Sequence, residues 1–219
     1  MEPDPVEIRV LGCLIEKQRT TPDVYPLTLN ALRLACNQST NRDPVVDYDE
    51  NTIRGAIDRL VQRKWATLAS WSNRRSMKYR HTLDGALGLD GAEIAVLDVL
   101  MLRGAQTPGE LKTRTERLHR FAGMDELGGT LERLIERQLV ARLERRTGQR
   151  EERYVQLIGA EGDPQRVAAS SVDSAPPPAA VASRPPPAAE SLEQRLERLE
   201  DDVAELRAEL RTLREQRSG

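Results

Sequence analysis

The chain has 219 residues, enough for one large domain or two small ones. Only 3% of the residues are aromatic whereas 31% are charged, a balance typical of a helix-rich protein with a small core. The net charge is −2, which excludes a basic field over the whole molecule, so any attraction to nucleic acid must come from a local patch.

The sequence carries no feature of a secreted or membrane protein. The first ten residues are acidic and lack the basic and apolar pattern of a signal peptide. No run reaches the roughly 18 apolar residues that a membrane span needs. Two cysteines, Cys13 and Cys36, are too few for a disulfide framework. These features predict a soluble, cytoplasmic protein with reduced thiols.

Residues 1–160 contain two copies of one unit. The block VLGCLIEKQRTTP, which starts at Val10, aligns with VLDVLMLRGAQTP, which starts at Val96, at a displacement of 86 residues. The block IDRLVQRKWA, which starts at Ile57, aligns with LERLIERQLV at a displacement of 74 residues. The first copy is therefore longer by twelve residues between these blocks, in the region that contains CNQSTNRDP (residues 36–44).

Apolar spacing predicts three helices followed by a β-hairpin in each copy. In the first copy, the helices run from about Val6 to Lys17, from about Leu27 to Cys36, and onward from an N-cap at Asp49; strand-like runs ATLASW and SMKYRHTL follow. In the second copy, helices are predicted near 91–103, 108–119 and 125–138, with a hairpin around residues 147–148.

This order is that of a winged helix-turn-helix domain. The predicted fold class is mainly α with small β-hairpin wings (α+β), in two tandem winged helix-turn-helix domains. The first repeat spans residues 1–84 and the second repeat spans residues 85–160.

The segment CNQSTNRDP could be a reactive site or a connection between helices. A cysteine nucleophile needs a histidine base, and nothing in the sequence places His81 or His119 beside Cys36. Asn37 suits a helix C-terminus, and Pro44 prevents the helix from continuing. We therefore predict a connection with a buried, inert thiol. We predict no catalytic residue, metal site or cofactor, because the sequence has no metal-ligand spacing and no Gly-rich phosphate loop. The sequence identifies no small-molecule ligand.

Two long blocks resemble a known family. RVLGCLIEKQRTTPDVYPLTLNALRLACNQSTNRDPV and LMLRGAQTPGELKTRTERLHRF are similar to the characteristic blocks of the YceH-like family of uncharacterised bacterial proteins. The resemblance spans roughly residues 6–158. The Pro-rich segment (residues 161–189) and the C-terminal tail that follows it lie outside the resemblance. It implies tandem winged-helix domains and implies no activity.

The third helix of the first repeat is the candidate DNA-reading element. Its start, NTIRGAIDRL (residues 51–60), is similar to the recognition helix of GntR-type winged-helix repressors. Asparagine and arginine side chains can read adenine and guanine edges. The candidate DNA-binding residues are Asn51, Thr52 and Arg54 on the helix and Arg74, Arg75, Lys78 and Arg80 on the wing.

Nearby acidic residues, Asp47, Asp49 and Glu50, oppose this interpretation. The second repeat has Asp125, Glu126 and Gly128 at the positions of Asn51, Thr52 and Arg54 and is a weaker DNA-binding candidate. The alternative is a winged-helix adaptor that binds other proteins, or a structural component of a larger complex.

A spacer and a helical tail follow the repeats. Residues 161–189, with two PPP runs, predict a disordered Pro/Ala-rich linker. Residues 190–217 predict a coiled-coil helix that self-associates, most simply as a parallel homodimer. Its seam has the alternating four- and three-residue spacing of a heptad repeat: Leu192, Leu196, Leu199, Val203, Leu206, Leu210 and Leu213.

Overall fold

The computed structural model describes residues 2–69, 77–143 and 151–159, all within one compact unit. The candidate wing residues Arg74 and Arg75, the linker 161–189 and the whole predicted coiled-coil seam lie outside the described residues. The predictions made for them remain predictions.

Helices dominate the described residues, as predicted, and the strands form small antiparallel sheets. The first repeat contains, in chain order, α1 (Pro5–Thr20), a 3₁₀ turn (Pro22–Val24), β1 (Leu27–Thr28), α2 (Leu29–Cys36), α3 (Glu50–Gln62), β2 (Ala66–Ala69) and β3 (Lys78–His81). Helix α4 (Leu83–Leu87) spans the boundary predicted between the repeats. The second repeat contains α5 (Gly91–Arg103), α6 (Pro108–Thr115), α7 (Met124–Glu136), β4 (Val140–Leu143) and β5 (Arg153–Gln156).

Three elements differ from the sequence-based expectation. Helix α6 ends at Thr115 instead of near residue 119. The second helix begins at Leu29 instead of Leu27, because the Thr28 side chain caps it by accepting a hydrogen bond from Ala31 N. Leu27 and Thr28 form β1, which pairs with β3. The short helix α4 was not predicted; it ends at Gly88, whose φ of 62° is the left-handed conformation that glycine adopts easily.

Each repeat has a third strand position beside its hairpin. In the first repeat the strand order is β1-β3-β2, all antiparallel, with Tyr79 of β3 opposite both Leu27 and Leu68. In the second repeat, β4 pairs with β5, and Gln106 exchanges two backbone hydrogen bonds with Tyr154 of β5. Gln106 therefore occupies the place that β1 has in the first repeat.

An ion-pair network closes the first repeat by joining the start of α1 to the end of α3. Asp4 and Glu7 form a capping box at the N-terminus of α1. Arg59 of α3 pairs with Asp4 at 2.5 Å and with Glu7 at 3.2 Å, and Arg63 pairs with Glu7 at 3.1 Å. Glu7 is buried, so both arginines compensate a carboxylate that has left water.

The second repeat reproduces this network. Asp90 and Glu93 form the capping box of α5, Arg133 pairs with both carboxylates, and Arg137 pairs with Glu93 at 3.0 Å. The carboxylates are displaced by 86 residues and the arginines by 74, the two displacements found by aligning the sequence blocks. The duplication therefore extends to side-chain contacts that hydrophobic patterns do not reveal.

The two repeats share one hydrophobic core, in which α1 packs against α5. Both helices are buried along most of their length, from Glu7 to Ile15 and from Ala92 to Leu102. A helix that is buried on all sides must have neighbours on all sides. Gly12 permits the close approach, since a β-carbon there would lie 2.8 Å from Leu102 Cδ2.

Candidate nucleic-acid interface

The exposed side of the first turns of α3 carries the predicted recognition residues. Asp49 caps the helix, and its carboxylate accepts a hydrogen bond of 2.7 Å from Thr52 N. Ile53 and Ile57 are fully buried, which fixes the rotation of the helix and leaves Asn51, Thr52 and Arg54 exposed.

Arg54 forms an ion pair with Glu50, one turn earlier on α3. The Arg54 Nη2 to Glu50 Oε1 distance is 2.6 Å, and the two side chains are 47% and 51% exposed. Exposed pairs at this helical spacing contribute only about 0.3–0.5 kcal/mol. Arg54 can therefore exchange Glu50 for an external acceptor at small cost.

Arg54 and Glu50 also line a groove of about 380 Å³ between α3, the start of α2 and the sheet. The other lining residues come from β1, α2 and β3 and from the residue before β3: Thr28, Leu29, Asn30, Tyr79 and Met77. The fold thus brings the start of the candidate recognition helix next to the base of the wing.

The two described wing cations lie on the other face of the sheet. Side chains alternate along a strand, and Tyr79 and His81 of β3 point into the core. Lys78 and Arg80 therefore point away from it, with Arg80 exposed and Lys78 half-buried. Neither side chain lines the groove that contains Arg54.

The start of α3 is acidic as well as basic. Hydrogen bonds from Thr52 hold the pKa of the Asp49 carboxyl below its usual value, so this carboxylate stays ionised at neutral pH. Asp47 is exposed and accepts a hydrogen bond from Asn37 Nδ2 at 3.2 Å. The negative charge that the sequence places near the reading residues is therefore at the surface.

In the second repeat, the described start of α7 has no basic residue at the positions that correspond to Asn51, Thr52 and Arg54. Helix α7 begins after Gly123, which supplies no side-chain cap. Glu126 instead turns back and accepts a hydrogen bond from Ala122 N at 2.7 Å. Gly128, at the position of Arg54, presents no side chain at all.

The segment CNQSTNRDP is a connection, as predicted, but its arginine has a structural role that the sequence reasoning missed. In the structure this segment ends α2 and begins the interhelix loop (residues 37–49). The guanidinium of Arg42 is buried and donates to both carboxylate oxygens of Glu16 on α1, at 3.1 and 2.6 Å. It also donates to Ala35 O, Asn41 O and Gln38 Oε1.

A second buried arginine, Arg9 of α1, donates to the carbonyls of Cys36 and Pro44 and so holds both ends of this segment. The loop also reaches the second repeat, where Asp43 N donates to Leu102 O at 2.9 Å and Arg103 contacts the Asn41 side chain. In the sequence, the only sign that this loop matters was that NRDPV lies within the block that resembles the YceH-like family.

Asn37 ties the loop to the candidate recognition helix. Its side chain accepts a hydrogen bond from Tyr48 N at 2.9 Å and donates to Tyr48 O at 2.9 Å. Tyr48 directly precedes the α3 cap Asp49. The loop therefore fixes the position at which α3 begins.

The predicted burial of Cys36 is confirmed, since neither Cys36 nor Cys13 is exposed to solvent. A hydrogen bond with Cys13, together with burial, raises the pKa of the Cys36 thiol well above its usual value. A protonated, inaccessible thiol is a poor nucleophile.

Across residues 2–69, 77–143 and 151–159, no group of three or more His, Cys, Asp or Glu side chains is arranged to hold a metal ion. None of the helices described there is both long and apolar enough to cross a membrane.

Comparison with known proteins identifies the family. The family model described as "Protein of unknown function, DUF480" matches residues 4–149. The chain belongs to this family, and the resemblance to YceH-like proteins seen in the sequence is confirmed. The UPF0502 protein YceH of Escherichia fergusonii is 42% identical over 214 residues, with 94% of each chain covered.

Two other relatives differ in how much of the chain they match. A UPF0502 protein of Opitutus terrae is 47% identical over 176 residues, covering 79% of this chain and 74% of that protein. A UPF0502 protein of Vibrio atlanticus is 43% identical over 216 residues, covering 95% of this chain and 97% of that protein. Because residues 161–219 make up more than a quarter of the chain, the second alignment must include most of them. The similarity therefore extends beyond residue 158, where the sequence analysis had ended it.

Proposed function

We propose that the protein is a non-enzymatic DNA-binding protein, a transcriptional regulator that acts in the cytoplasm through a winged helix formed by its first repeat. The proposal includes a second winged helix in the second repeat and dimerisation through residues 190–217. It rests most heavily on one observation: Asn51, Thr52 and Arg54 are exposed together on the first turns of the third helix.

The order of elements supports the winged-helix assignment. In each repeat three helices precede an antiparallel hairpin, and a third strand position lies just before the second helix. In helix-turn-helix proteins the N-terminal residues of the recognition helix contact base edges in the major groove. The exposed residues of α3 occupy that position in the first repeat.

Arg54 has the energetics that a base-reading arginine needs. Its pair with Glu50 orients the guanidinium but contributes only a few tenths of a kcal/mol, because both groups are about half exposed. A bidentate contact with guanine provides about 1–3 kcal/mol of discrimination, which exceeds the loss of the pair. Binding would release Arg54 from Glu50 and leave the Glu50 carboxylate near DNA phosphates.

The experiment is a selection from random-sequence DNA with the full-length protein at two salt concentrations, followed by affinity measurements on variants. Arg54→Gln should cost about 1–3 kcal/mol and relax the base preference. Arg120→Gln is the matched control, since Arg120 also forms an i,i+4 pair of 2.6 Å, with Glu116, but lies in the second repeat. Glu50→Gln should strengthen binding by removing a negative charge. Equal losses for Arg54→Gln and Arg120→Gln would refute the assignment.

The second candidate function is a protein-binding adaptor. The observation that favours it is the presence of large apolar side chains on the surface of the first repeat: Leu34, Val45, Leu68 and Met77 are 47–60% exposed. Together with the acidic start of α3, such a surface suits a protein partner. A failure to select any DNA, with no salt-dependent binding, would favour the adaptor.

A further inference from the structure

A cleft rich in arginine lies between the first repeat, including its interhelix loop, and the second repeat. It comprises two adjoining grooves of about 300 and 290 Å³ that share Asn41, Arg103 and Arg114. One groove continues between the loop and β5, where Arg153 lines it. The other continues between α1, α5 and α6, where Arg117 lines it. The volume of each groove is close to the lower end of the range for small-molecule sites, about 300 Å³.

The arginines that line this cleft outnumber its acidic side chains. They are Arg42, Arg103, Arg114, Arg117 and Arg153, and the acidic side chains are Glu16, Asp43, Glu110 and Asp98. Glu110 is shared by Arg114 at 3.4 Å and Arg153 at 3.3 Å. Glu16 is occupied by the bidentate contact with Arg42. These two carboxylates therefore have partners already.

Arg103 and Arg117 form no ion pair with any residue of the described ranges. Arg103 contacts the neutral side chain of Asn41. Burial and the neighbouring Arg114 guanidinium lower the pKa of Arg103, and the nearby Glu16 carboxylate only partly offsets this. An anion bound in the cleft would offset the repulsion between the guanidinium groups of Arg103 and Arg114.

Asp98 supplies a polar group of a different kind. It lines the same groove as Arg103 and Arg117, is 1% exposed, and its Oδ1 has no hydrogen-bond partner within the described part of the chain. Burial and the nearby Glu16 carboxylate raise the pKa of Asp98 well above its usual value. A neutral carboxyl adds no charge that would repel an anion, and it can hydrogen-bond to a hydroxyl.

We propose that this cleft is a binding site for a small phosphate monoester, with its phosphate on Arg103, Arg114 and Arg117 and a hydroxyl on Asp98. Guanidinium groups match phosphate in geometry and bind it through two parallel hydrogen bonds. A phosphate ester of a short polyol or pentose is small enough for one groove. The site is separate from the α3 surface and does not depend on DNA binding.

The test is calorimetry on the full-length protein without DNA, using ribose 5-phosphate, ribose and inorganic phosphate as probes. Ribose 5-phosphate should bind saturably and more tightly than inorganic phosphate, and ribose should not bind. Arg117→Gln should weaken ribose 5-phosphate binding at least tenfold. Arg120→Gln, three residues further on with an 81% exposed side chain, should leave it unchanged. Asp98→Asn should reduce the advantage of ribose 5-phosphate over inorganic phosphate.

Three results would overturn the proposal. The first is no saturable binding of ribose 5-phosphate. The second is equal affinity for inorganic phosphate and ribose 5-phosphate, which would leave Asp98 without the assigned contact. The third is a loss of DNA affinity in Arg117→Gln with no effect on ribose 5-phosphate, which would assign the arginines to DNA phosphates. Because the calorimetry contains no DNA, its outcome is independent of the proposed DNA-binding function.

Discussion

Replacing Arg42 by methionine should destabilise the protein more than any surface change, although Arg42 lies in a connecting loop. The guanidinium makes five hydrogen bonds, two of them to Glu16, and the Arg42 side chain is 0% exposed. Methionine retains the apolar stem and removes every donor. Glu16, whose side chain is 16% exposed, then keeps a carboxylate in a poorly hydrated place without its main partner.

Breaking a buried ion pair by removing one partner costs about 3–5 kcal/mol. The carbonyls of Ala35 and Asn41 also lose a donor, at about 1 kcal/mol for each one that stays dry. We therefore expect Arg42→Met to lower the free energy of unfolding by about 4 kcal/mol. Typical domains are stable by about 5–15 kcal/mol, so this is a large fraction of the total.

The measurement is equilibrium urea unfolding of the full-length protein, followed by far-UV circular dichroism. Arg120→Met is the matched control, because its ion pair with Glu116 has the same 2.6 Å distance but its side chain is 81% exposed. It should cost no more than about 0.5 kcal/mol. The double variant Glu16→Leu with Arg42→Met should be more stable than Arg42→Met alone, since it removes the stranded carboxylate. Similar losses for Arg42→Met and Arg120→Met would refute this reasoning.

Three further predictions concern titration, thiol access and assembly. Burial lowers the pKa of His81 from 6.5 to about 4, so between these pH values the unfolded chain binds a proton that the folded chain excludes. The free energy of unfolding should therefore fall by about 3 kcal/mol as the pH decreases from 6.5 to 4. NMR titration should give an imidazole pKa near 4 for His81. Cys13 and Cys36 should react with a thiol reagent only at the rate of unfolding, and rapid labelling of the native protein would contradict their burial. Removal of residues 190–219 should convert a concentration-dependent dimer into a monomer in sedimentation experiments, whereas full dimerisation of the truncated chain would place the contact elsewhere.

Local patterns in the sequence were sufficient to predict six of the seven helices described, all except the short α4. The face formed by Ile53, Ile57 and Leu60 fixed both the existence of α3 and the side that it buries. The cap at Asp49 was predicted for the same reason, because a cap depends on residues only three positions apart. The exposure of Asn51, Thr52 and Arg54 follows directly from that rotation.

The contacts that join distant parts of the chain could not be read from such patterns. Arg9 looks like any polar residue on an amphipathic helix, yet it is buried because the second repeat and the loop cover α1 on the sides that a lone repeat would leave in water. Lys78 and Arg80 were predicted, like Arg54, as candidate DNA-binding residues, and strand alternation places their side chains on the face of the sheet away from the core. Such placements depend on which elements become neighbours.

The sequence by itself determined the duplication, the helical periods and the family. Each of these is encoded within a few turns of chain or in the match between two blocks. The tertiary structure alone decided that the carboxylates of α1 and α5 meet arginines on α3 and α7, and that Arg42 reaches Glu16. The physical reason is that a buried charge is tolerable only where a partner is held beside it, and the partner is brought there by packing of helices that are far apart in sequence.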